Sequence, residues 1–244
     1  MELKPFFSED KIVSSFTSKY KGKYPIDDVI NHAVKANIFD YDVEGKTCAV
    51  VGSAPNILNK RFGKEIDGHD YIFRANDARI EGFEDWCGSR TDFRTVSGKC
   101  FSSTEFERTE SPIPTATWFP RLKGEHFLVR PFPNNIDRVF GVYDLHYNWN
   151  NNKISYVHHD LEKYVCSLLN CREASSGFIS IFLAVTIFQK VDIYGYEFYG
   201  GKESQPGSHY HKNLPVPCGT VHSYSAELAC VKSWEEQGIL TINE

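Results

Sequence analysis

Short apolar runs alternate with polar, glycine-containing loops along most of this chain. The clearest run spans residues 47–52 and predicts a buried strand that ends at a glycine. The other runs share its shortness and its β-branched or aromatic content. They predict strands over residues 71–75, 91–96, 115–119, 127–130, 154–157, 191–196 and 239–242.

Helices are predicted between several of these strands. Asp160 can cap a helix that reaches about residue 170. The segment 178–188 is apolar on every face, which predicts a buried helix rather than a surface one. A last helix is expected over residues 223–237, with Gly238 as its stop. Strand–helix alternation of this kind predicts an α/β fold with a mainly parallel sheet covered on both faces.

The remaining segments suggest how the chain is divided. Residues 1–45 form a polar, partly helical lead-in with an amphipathic stretch over residues 26–39. Residues 46–244 are expected to form one α/β domain. Within that domain, residues 200–220 are rich in glycine and proline and predict a loop.

Composition excludes several classes of protein. The 244 residues are 41% hydrophobic and 24% charged, with a net charge of −5, which is ordinary for a globular protein and disfavours nucleic acid as a partner. No run approaches the roughly 18 apolar residues of a membrane span, and the first residues lack the apolar core of a signal peptide. A cytoplasmic protein is therefore expected, unless a preceding anchor places it in a lumen. The seven cysteines match no zinc pattern.

Polar residues follow the first two predicted strands of the domain. Gly52, Ser53 and Asn56 come at the end of the first strand, and Arg74 and Asn76 at the end of the second. A glycine lets the backbone approach a ligand closely, and an asparagine can bond a ribose or a base edge, so the pattern indicates a nucleotide site at the carboxyl edge of the sheet. A turn with self-bonding side chains is the alternative. The absence of a G-x-G-x-x-G pattern disfavours NAD.

A second group, Ser175, Ser176 and Gly177, immediately precedes the apolar helix. Helix N-termini offer backbone N–H donors and a positive dipole end, which suit an anion. Two hydroxyls add further donors, and the glycine leaves room for close approach. A plain helix cap is the alternative interpretation.

A third group contains His209 and Tyr210 and, further on, His222 and Glu227. An imidazole titrates at about pH 6.5 in model peptides and can accept a hydroxyl proton at neutral pH. Surface histidines are usually only solvated, so this group alone would be a weak signal.

The order of these groups resembles the four sialylmotifs of the eukaryotic-type sialyltransferases. The large motif is similar to residues 48–91, and the small motif to residues 175–196. Motif III is similar to His209–Tyr210. The very small motif, a histidine and a glutamate separated by four residues, is similar to residues 222–227.

The resemblance implies a Rossmann-like sheet of the GT-A type and transfer of sialic acid from CMP-sialic acid to a sugar hydroxyl of a glycan, with inversion. It assigns His222 as the general base and His209 as a contact of the leaving phosphate. The donor-binding residues it implies are Gly52, Ser53, Asn56, Asn76, Ser175, Ser176 and Gly177, with Arg74, Tyr210 and Glu227 in support. A Kdo transferase using CMP-Kdo and an inactive CMP-sugar-binding or lectin-like protein are the alternatives.

Three positions depart from the family's pattern. Ser53 stands where the family usually has asparagine, and Ala174 where it usually has proline. Phe188 stands where animal members have the cysteine that pairs with the counterpart of Cys48. We therefore expect Cys48 to be a free, buried thiol.

No metal cofactor is expected. Asp40 and Asp42 have the Asp-x-Asp spacing of many nucleotide-sugar transferases, but they precede the first strand and are interpreted as solvated acids. His158, His159 and Asp160 are interpreted as a strand end leading into a helix cap, because adjacent strand residues point to opposite faces. Residues 99–152 carry no recognised motif, so the acceptor glycan is not predicted.

Overall fold

The computed structural model describes residues 41–76, 78–97, 124–130, 153–157, 159–198, 207–216 and 222–244. These residues belong to two compact units. The described residues of the smaller unit lie within Met1–Tyr41 and Arg94–Leu161. Those of the larger unit lie within Asp42–Phe93 and Glu162–Glu244.

The strands in this part of the chain are β1 (Thr47–Val51), β2 (Tyr71–Ala75), β3 (Phe93–Ser97), β4 (His126–Arg130), β5 (Lys153–Tyr156), β6 (Lys190–Tyr194), β7 (Gly207–His209), β8 (Lys212–Val216) and β9 (Leu240–Asn243). The α-helices are α1 (Gly63–Asp67), α2 (Glu84–Cys87), α3 (His159–Leu169), α4 (Ser176–Ile187) and α5 (Tyr224–Glu236). Seven of the eight predicted strands and all three predicted helices are confirmed to within a few residues. The strand predicted at 115–119 and nearly all of the predicted lead-in lie outside the described residues.

The larger unit is built on parallel strands in the order β2-β1-β6-β9. In this sheet Val50 lies opposite Phe73 on one side and Ile193 on the other. The pairing of β6 with β9 is parallel as well. The predicted parallel α/β arrangement is therefore confirmed, and the carboxyl ends of these strands meet at one edge.

Helix α4 is apolar on every face because it is covered on more than one side. It packs against β1, β2 and β6, and Phe178 stacks on Trp234 of α5 at a ring distance of 5.6 Å. Tyr164 of α3 contacts Phe182 at 6.0 Å. The uniform hydrophobicity that predicted a buried helix thus reflects a central position.

The opposite face of the sheet is covered by two short helices. Phe62, which precedes α1, and Ile66 within it pack with Cys87 of α2 against the inward side chains of β1, β2 and β6. A Cβ atom added at Gly63 would lie 2.1 Å from the carbonyl oxygen of Glu84, so α1 approaches α2 too closely for any side chain there. The sequence pattern predicted a polar loop here, because helices of five and four residues carry no readable periodicity.

Cys48 is a free thiol with no exposed surface, as expected. Phe188, the residue in place of its family partner, packs on Tyr71 at 5.3 Å and on Phe73 at 6.2 Å. Burial raises the pKa of the Cys48 thiol well above its ordinary value. Aromatic packing therefore occupies the place where the family resemblance implies a disulfide.

The interior of the smaller unit contains several buried polar and charged groups beside its apolar residues. Its strands follow the order β3-β4-β5, and β4 and β5 are parallel. The buried guanidinium of Arg94 donates from Nε and Nη2 to the carboxylate of Glu125, at 2.5 and 2.9 Å. His126 contacts the Ser155 hydroxyl at 2.7 Å. Each of these charged or polar groups is satisfied by a partner on the same unit.

One predicted loop contains a hairpin. Residues 200–220 were expected to be irregular, but β7 and β8 within them form an antiparallel pair with an irregularity at Ser208 and His209. The segment was misjudged because β8 includes Pro215, which argues against a central strand but is tolerated in a two-stranded ribbon.

A half-buried histidine, His69, links the end of α1 to the sheet of the larger unit. His69 Nδ1 lies 3.1 Å from the carbonyl oxygen of Glu65, and Nε2 lies 2.9 Å from Asp192 Oδ2. Both partners are acceptors, so only the protonated ring satisfies both. Burial alone would lower the pKa of His69, but the hydrogen bond and charge of Asp192 outweigh it and raise the pKa. The hydrogen bond from His69 in turn lowers the pKa of Asp192.

This pair should make the free energy of unfolding depend on pH. A raised histidine pKa stabilises the fold fully below its unfolded value of about 6.5, and the contribution is lost as pH rises through the folded pKa. The lowered pKa of Asp192 keeps its carboxylate charged at both pH 6 and pH 8. Urea unfolding of the wild type and of His69→Gln should therefore show a larger stability difference at pH 6 than at pH 8. Equal differences at the two pH values would contradict the assignment.

Candidate active site

The end of β1 meets the end of β6 at very short range. Gly52 N–H donates to the Tyr194 carbonyl at 2.8 Å, and Ala54 N–H donates to the Gly195 carbonyl at 3.0 Å. A Cβ atom on Gly52 would lie 2.3 Å from the Gly195 oxygen, and Gly195 itself has a φ of +68°. Glycine at both positions is therefore required by this contact, whatever ligand binds beside it.

Ser53 and Asn56 lie in the turn that follows. The turn continues into a short 3₁₀ helix, Pro55–Asn59. Asn56 N–H donates to Glu197 Oε1 at 3.0 Å. The side-chain oxygen of Asn56 is buried and has no hydrogen-bond partner in the described part of the chain. Because buried polar atoms are normally satisfied, this oxygen fits a ligand contact at the edge of the sheet.

Arg74 and Asn76 have different roles at the end of β2. Asn76 adopts a left-handed backbone with φ of +49°, a conformation that asparagine tolerates better than most residues. Arg74 has no exposed surface and donates to Thr91 Oγ1 at 2.8 Å and to the Cys87 carbonyl at 2.5 Å. Arg74 therefore holds the loop between α2 and β3, which fits the supporting role expected of it.

Helix α4 ends just before the amino end of β6, so its first residues lie at the opposite, carboxyl edge of the sheet. Ser175 is its N-cap: the backbone is extended and Oγ accepts the Phe178 N–H at 3.0 Å. The Tyr196 hydroxyl, just beyond β6, donates to the Gly177 carbonyl at 3.3 Å. A Cβ on Gly177 would lie 3.0 Å from the Tyr196 ring, so the glycine permits this packing.

A buried carboxylate holds the N-cap in place. Glu227 has no exposed surface; its Oε1 accepts the Ser175 N–H and its Oε2 accepts the Ser175 hydroxyl, both at 2.8 Å. Both donor hydrogens of Ser175 are therefore engaged within the protein. Donors from the first turn of α4 toward an anion would come from Ser176 and Gly177, while Ser175 shapes the turn.

His222 is held in one tautomer by the segment before α4. It lies two residues before α5, slightly outside the predicted helix, and its Nδ1 is 3.0 Å from the Glu173 carbonyl oxygen. A carbonyl oxygen only accepts hydrogen bonds, so Nδ1 carries the proton. The neutral ring then has its lone pair on Nε2, the arrangement a general base requires.

The hairpin brings His209 to the same edge through its neighbour, Tyr210. Tyr210 N–H donates to the Ser53 carbonyl at 2.9 Å, and its hydroxyl donates to the Arg79 carbonyl. Its ring packs edge-to-face on Phe83 at 4.9 Å. The His209 ring is parallel to that of His211 at 5.5 Å. Tyr210 is thus the anchor that places His209 beside the turn after β1.

Contacts between Ser53 and Tyr210, between Gly177 and Tyr196, and between Ser175 and Glu227 link residues of the four predicted motifs at one edge of the sheet. Sequence reasoning missed the partners that hold them. Glu173 and Arg79 act here through backbone carbonyls, which leave no signal in side-chain identity.

The other candidate groups of the sequence lie partly outside the described residues. No group of three or more His, Cys, Asp or Glu side chains within them could hold a metal ion. Asp40 and His158 lie outside the described residues.

None of the described helices is both long and apolar enough to cross a bilayer.

Comparison with models of known protein families identifies the family to which this chain belongs. The model of glycosyltransferase family 29, the sialyltransferases, matches residues 10–239. The chain belongs to this family, a family of glycosyltransferases, and the resemblance seen in the motifs is confirmed.

Individual relatives agree. The bovine (Bos taurus) beta-galactoside alpha-2,6-sialyltransferase 2 is 28% identical over 202 residues, which are 73% of this chain and 38% of the relative. The CMP-N-acetylneuraminate-beta-galactosamide-alpha-2,3-sialyltransferase 1 of Sus scrofa is 28% identical over 176 residues, 71% of this chain and 49% of the relative. The chain thus spans less than half the length of these curated relatives.

Solved structures support the fold. A mammalian sialyltransferase in complex with Gal-beta-1-3GalNAc-ortho-nitrophenol has a TM-score of 0.63 at 20% identity, covering 97% of this chain and 86% of that one. A second crystal structure of a mammalian sialyltransferase has a TM-score of 0.58 at 20% identity, covering 97% and 85%. The Rossmann-like α/β fold is therefore that of known sialyltransferases.

The Glu227 contact leads to a prediction about stability. Glu227→Ala should lower the free energy of unfolding by about 1–3 kcal/mol, because it removes two hydrogen bonds and leaves the donors of the half-buried Ser175 without their acceptors. Urea unfolding measures this loss. Glu236→Ala, at an exposed position near the end of the same helix, is the matched control and should change stability by less than about 0.5 kcal/mol. Equal effects of the two substitutions would show that the Ser175 contacts contribute nothing.

Proposed function

We propose that this protein transfers sialic acid from CMP-sialic acid to a sugar hydroxyl of a glycan acceptor, with inversion at the anomeric carbon. Family membership and the sialyltransferase relatives support the reaction class. The observation that carries the mechanism is the tautomer of His222, whose Nδ1–H is committed to the Glu173 carbonyl.

In this mechanism His222 is the general base. Its Nε2 accepts the proton of the acceptor hydroxyl while that oxygen attacks the anomeric carbon on the face opposite the leaving CMP. The positive charge that develops on the ring is stabilised at Nδ1–H by the Glu173 carbonyl. A single displacement of this kind inverts the anomeric centre.

The leaving group is a phosphate whose negative charge grows as the glycosidic bond breaks. The start of α4, a helix of 12 residues, presents Ser176, Gly177 and a positive dipole end to an anion. His209, placed by Tyr210 beside the turn after β1, supplies a further donor. Such donors accelerate the reaction to the extent that they bind the departing phosphate more strongly than the intact donor.

The nucleotide is assigned to the turns after β1 and β2. Gly52 and Ser53 allow close approach of the backbone, the buried oxygen of Asn56 lacks a partner within the described residues, and Asn76 follows the neighbouring strand. An amide can bond a ribose hydroxyl or a base edge from this position. Because a monophosphate leaves and carries less charge than a diphosphate, the proposed reaction needs no metal.

A panel of donors tests the function. CMP-sialic acid should support transfer to a β-galactoside acceptor, and a chelator should leave the rate unchanged. Transfer from CMP-Kdo but not from CMP-sialic acid would show that the protein is a Kdo transferase. No turnover of any CMP-sugar, with CMP binding retained, would indicate an inactive binding protein. A loss of rate with chelator that Mn²⁺ restores would overturn the proposed metal independence.

Substitution of the two histidines should separate their roles. His222→Ala should reduce kcat by about 10²–10⁴ with little change in CMP affinity, because the base is lost and the donor site is not. His209→Ala should weaken CMP binding by about 1.5–3 kcal/mol and also slow transfer, because a charge-assisted hydrogen bond to the phosphate is lost. Kinetics and calorimetric titration with CMP measure both effects. Near-normal turnover of His222→Ala would contradict this assignment, and His211 or a carboxylate would become the candidate for the general base.

A further inference from the structure

Helix α3 ends in a Schellman motif. Asn170 has a left-handed backbone with φ of +48°. Its N–H donates to the Ser167 carbonyl at 3.4 Å, and the Cys171 N–H donates to the Cys166 carbonyl at 3.0 Å. These two bonds, around a left-handed residue, define the motif.

The two cysteines occupy the positions that touch in this motif. The residue at the start of the outer hydrogen bond and the residue at its end commonly make a side-chain contact, which is usually hydrophobic. Here those residues are Cys166 and Cys171, so the turn places their side chains next to each other. Both side chains are partly exposed, whereas Cys48 and Cys87 are completely buried.

We propose that Cys166 and Cys171 form a dithiol site that reacts with a small-molecule disulfide of the glutathione class and closes to an internal disulfide. One cysteine thiolate attacks a sulfur of the oxidant, forming a mixed disulfide and releasing one glutathione thiolate, which takes up a proton. The second cysteine attacks the mixed disulfide at the protein sulfur and releases the second glutathione. Two protein thiols are oxidised and one glutathione disulfide is reduced to two thiols.

The Cys171 thiol is protonated at rest, so its reaction with a disulfide is expected to be slow. Burial and the adjacent Cys166 raise the pKa of Cys171 to about 12. The pairing depends on the backbone turn, which brings the two residues together before any oxidation.

This site lies at the start of the segment that builds the active site. Two residues after Cys171, the Glu173 carbonyl holds His222, and two residues later Ser175 caps α4. An internal disulfide would tie the beginning of this segment to α3 without using any of those contacts. The site itself rests on the turn geometry and stands whether or not the proposed transfer activity is found.

Peptide mapping tests the proposal cleanly, because Lys163 and Arg172 place both cysteines in one tryptic peptide, residues 164–172. The full chain is reduced, incubated with excess glutathione disulfide, alkylated and digested. We expect this peptide to lose two hydrogens, to escape alkylation, and to recover both thiols after reduction.

Two variants and one internal comparison complete the experiment. Cys166→Ser and Cys171→Ser each leave one thiol, so neither peptide can lose two hydrogens, and each should stop at the thiol or at a glutathione adduct. Cys48 and Cys87 should remain reduced because both are completely buried. Alkylation of both cysteines in the oxidised wild type, or a cross-link from this peptide to another cysteine, would overturn the proposal.

Discussion

The contact between Gly52 and Gly195 is the constraint on which the arrangement of the active site depends. The N–H groups of residues 52 and 54 both bond to the end of β6, which fixes the turn after β1 against the neighbouring strand. A methyl group on Gly52 would overlap the opposing carbonyl oxygen, and relieving such an overlap costs about 1–3 kcal/mol or more. The strand ends, the 3₁₀ turn and the anchoring of Tyr210 at Ser53 all follow from this close approach.

A second feature explains why the chemistry gathers at this edge. Helices α4 and α5 each precede a strand of the parallel sheet, so both begin at the carboxyl edge. The segment between Glu173 and Ser175 is held at both ends by the start of α5, through His222 and Glu227. The base proposed for the acceptor and the helix start proposed for the phosphate therefore belong to one connected assembly.

Glu227 shows how such an assembly is stabilised. A fully buried carboxylate is costly unless it is hydrogen-bonded, and both of its oxygens accept from Ser175. The nearby N-terminus of α4 contributes a positive dipole end, which also favours a negative charge. Burial and the charge of Glu227 together raise the pKa of the neighbouring Tyr196, which keeps its hydroxyl protonated and able to donate to Gly177.

The central elements could be predicted from the sequence because buried strands and helices have long or uniform runs of apolar residues. Strand β1 and helix α4 are apolar along most of their length, and β2 is apolar except at Arg74, whereas α1, α2 and the hairpin are too short or too rich in glycine and proline to be recognised. The candidate site residues were predicted from the order of the motifs. Their partners were not, since Glu227 and Ser175 are 52 residues apart and the tautomer of His222 is set by a backbone carbonyl.

The replacement of the family's cysteine by Phe188 can be judged by magnitude. A disulfide from Cys48 to that position would close a loop of roughly 140 residues, worth about 5 kcal/mol in the chain-entropy account. Burying a phenylalanine contributes about 1.5–3 kcal/mol, and each of its two aromatic contacts adds about 0.5–1.5 kcal/mol. The free-energy contributions of the disulfide and of the aromatic packing are therefore of similar magnitude. Packing of Phe188 on Tyr71 and Phe73 can therefore hold α4 against the sheet, in the position that a covalent bond would secure, without oxidation of Cys48.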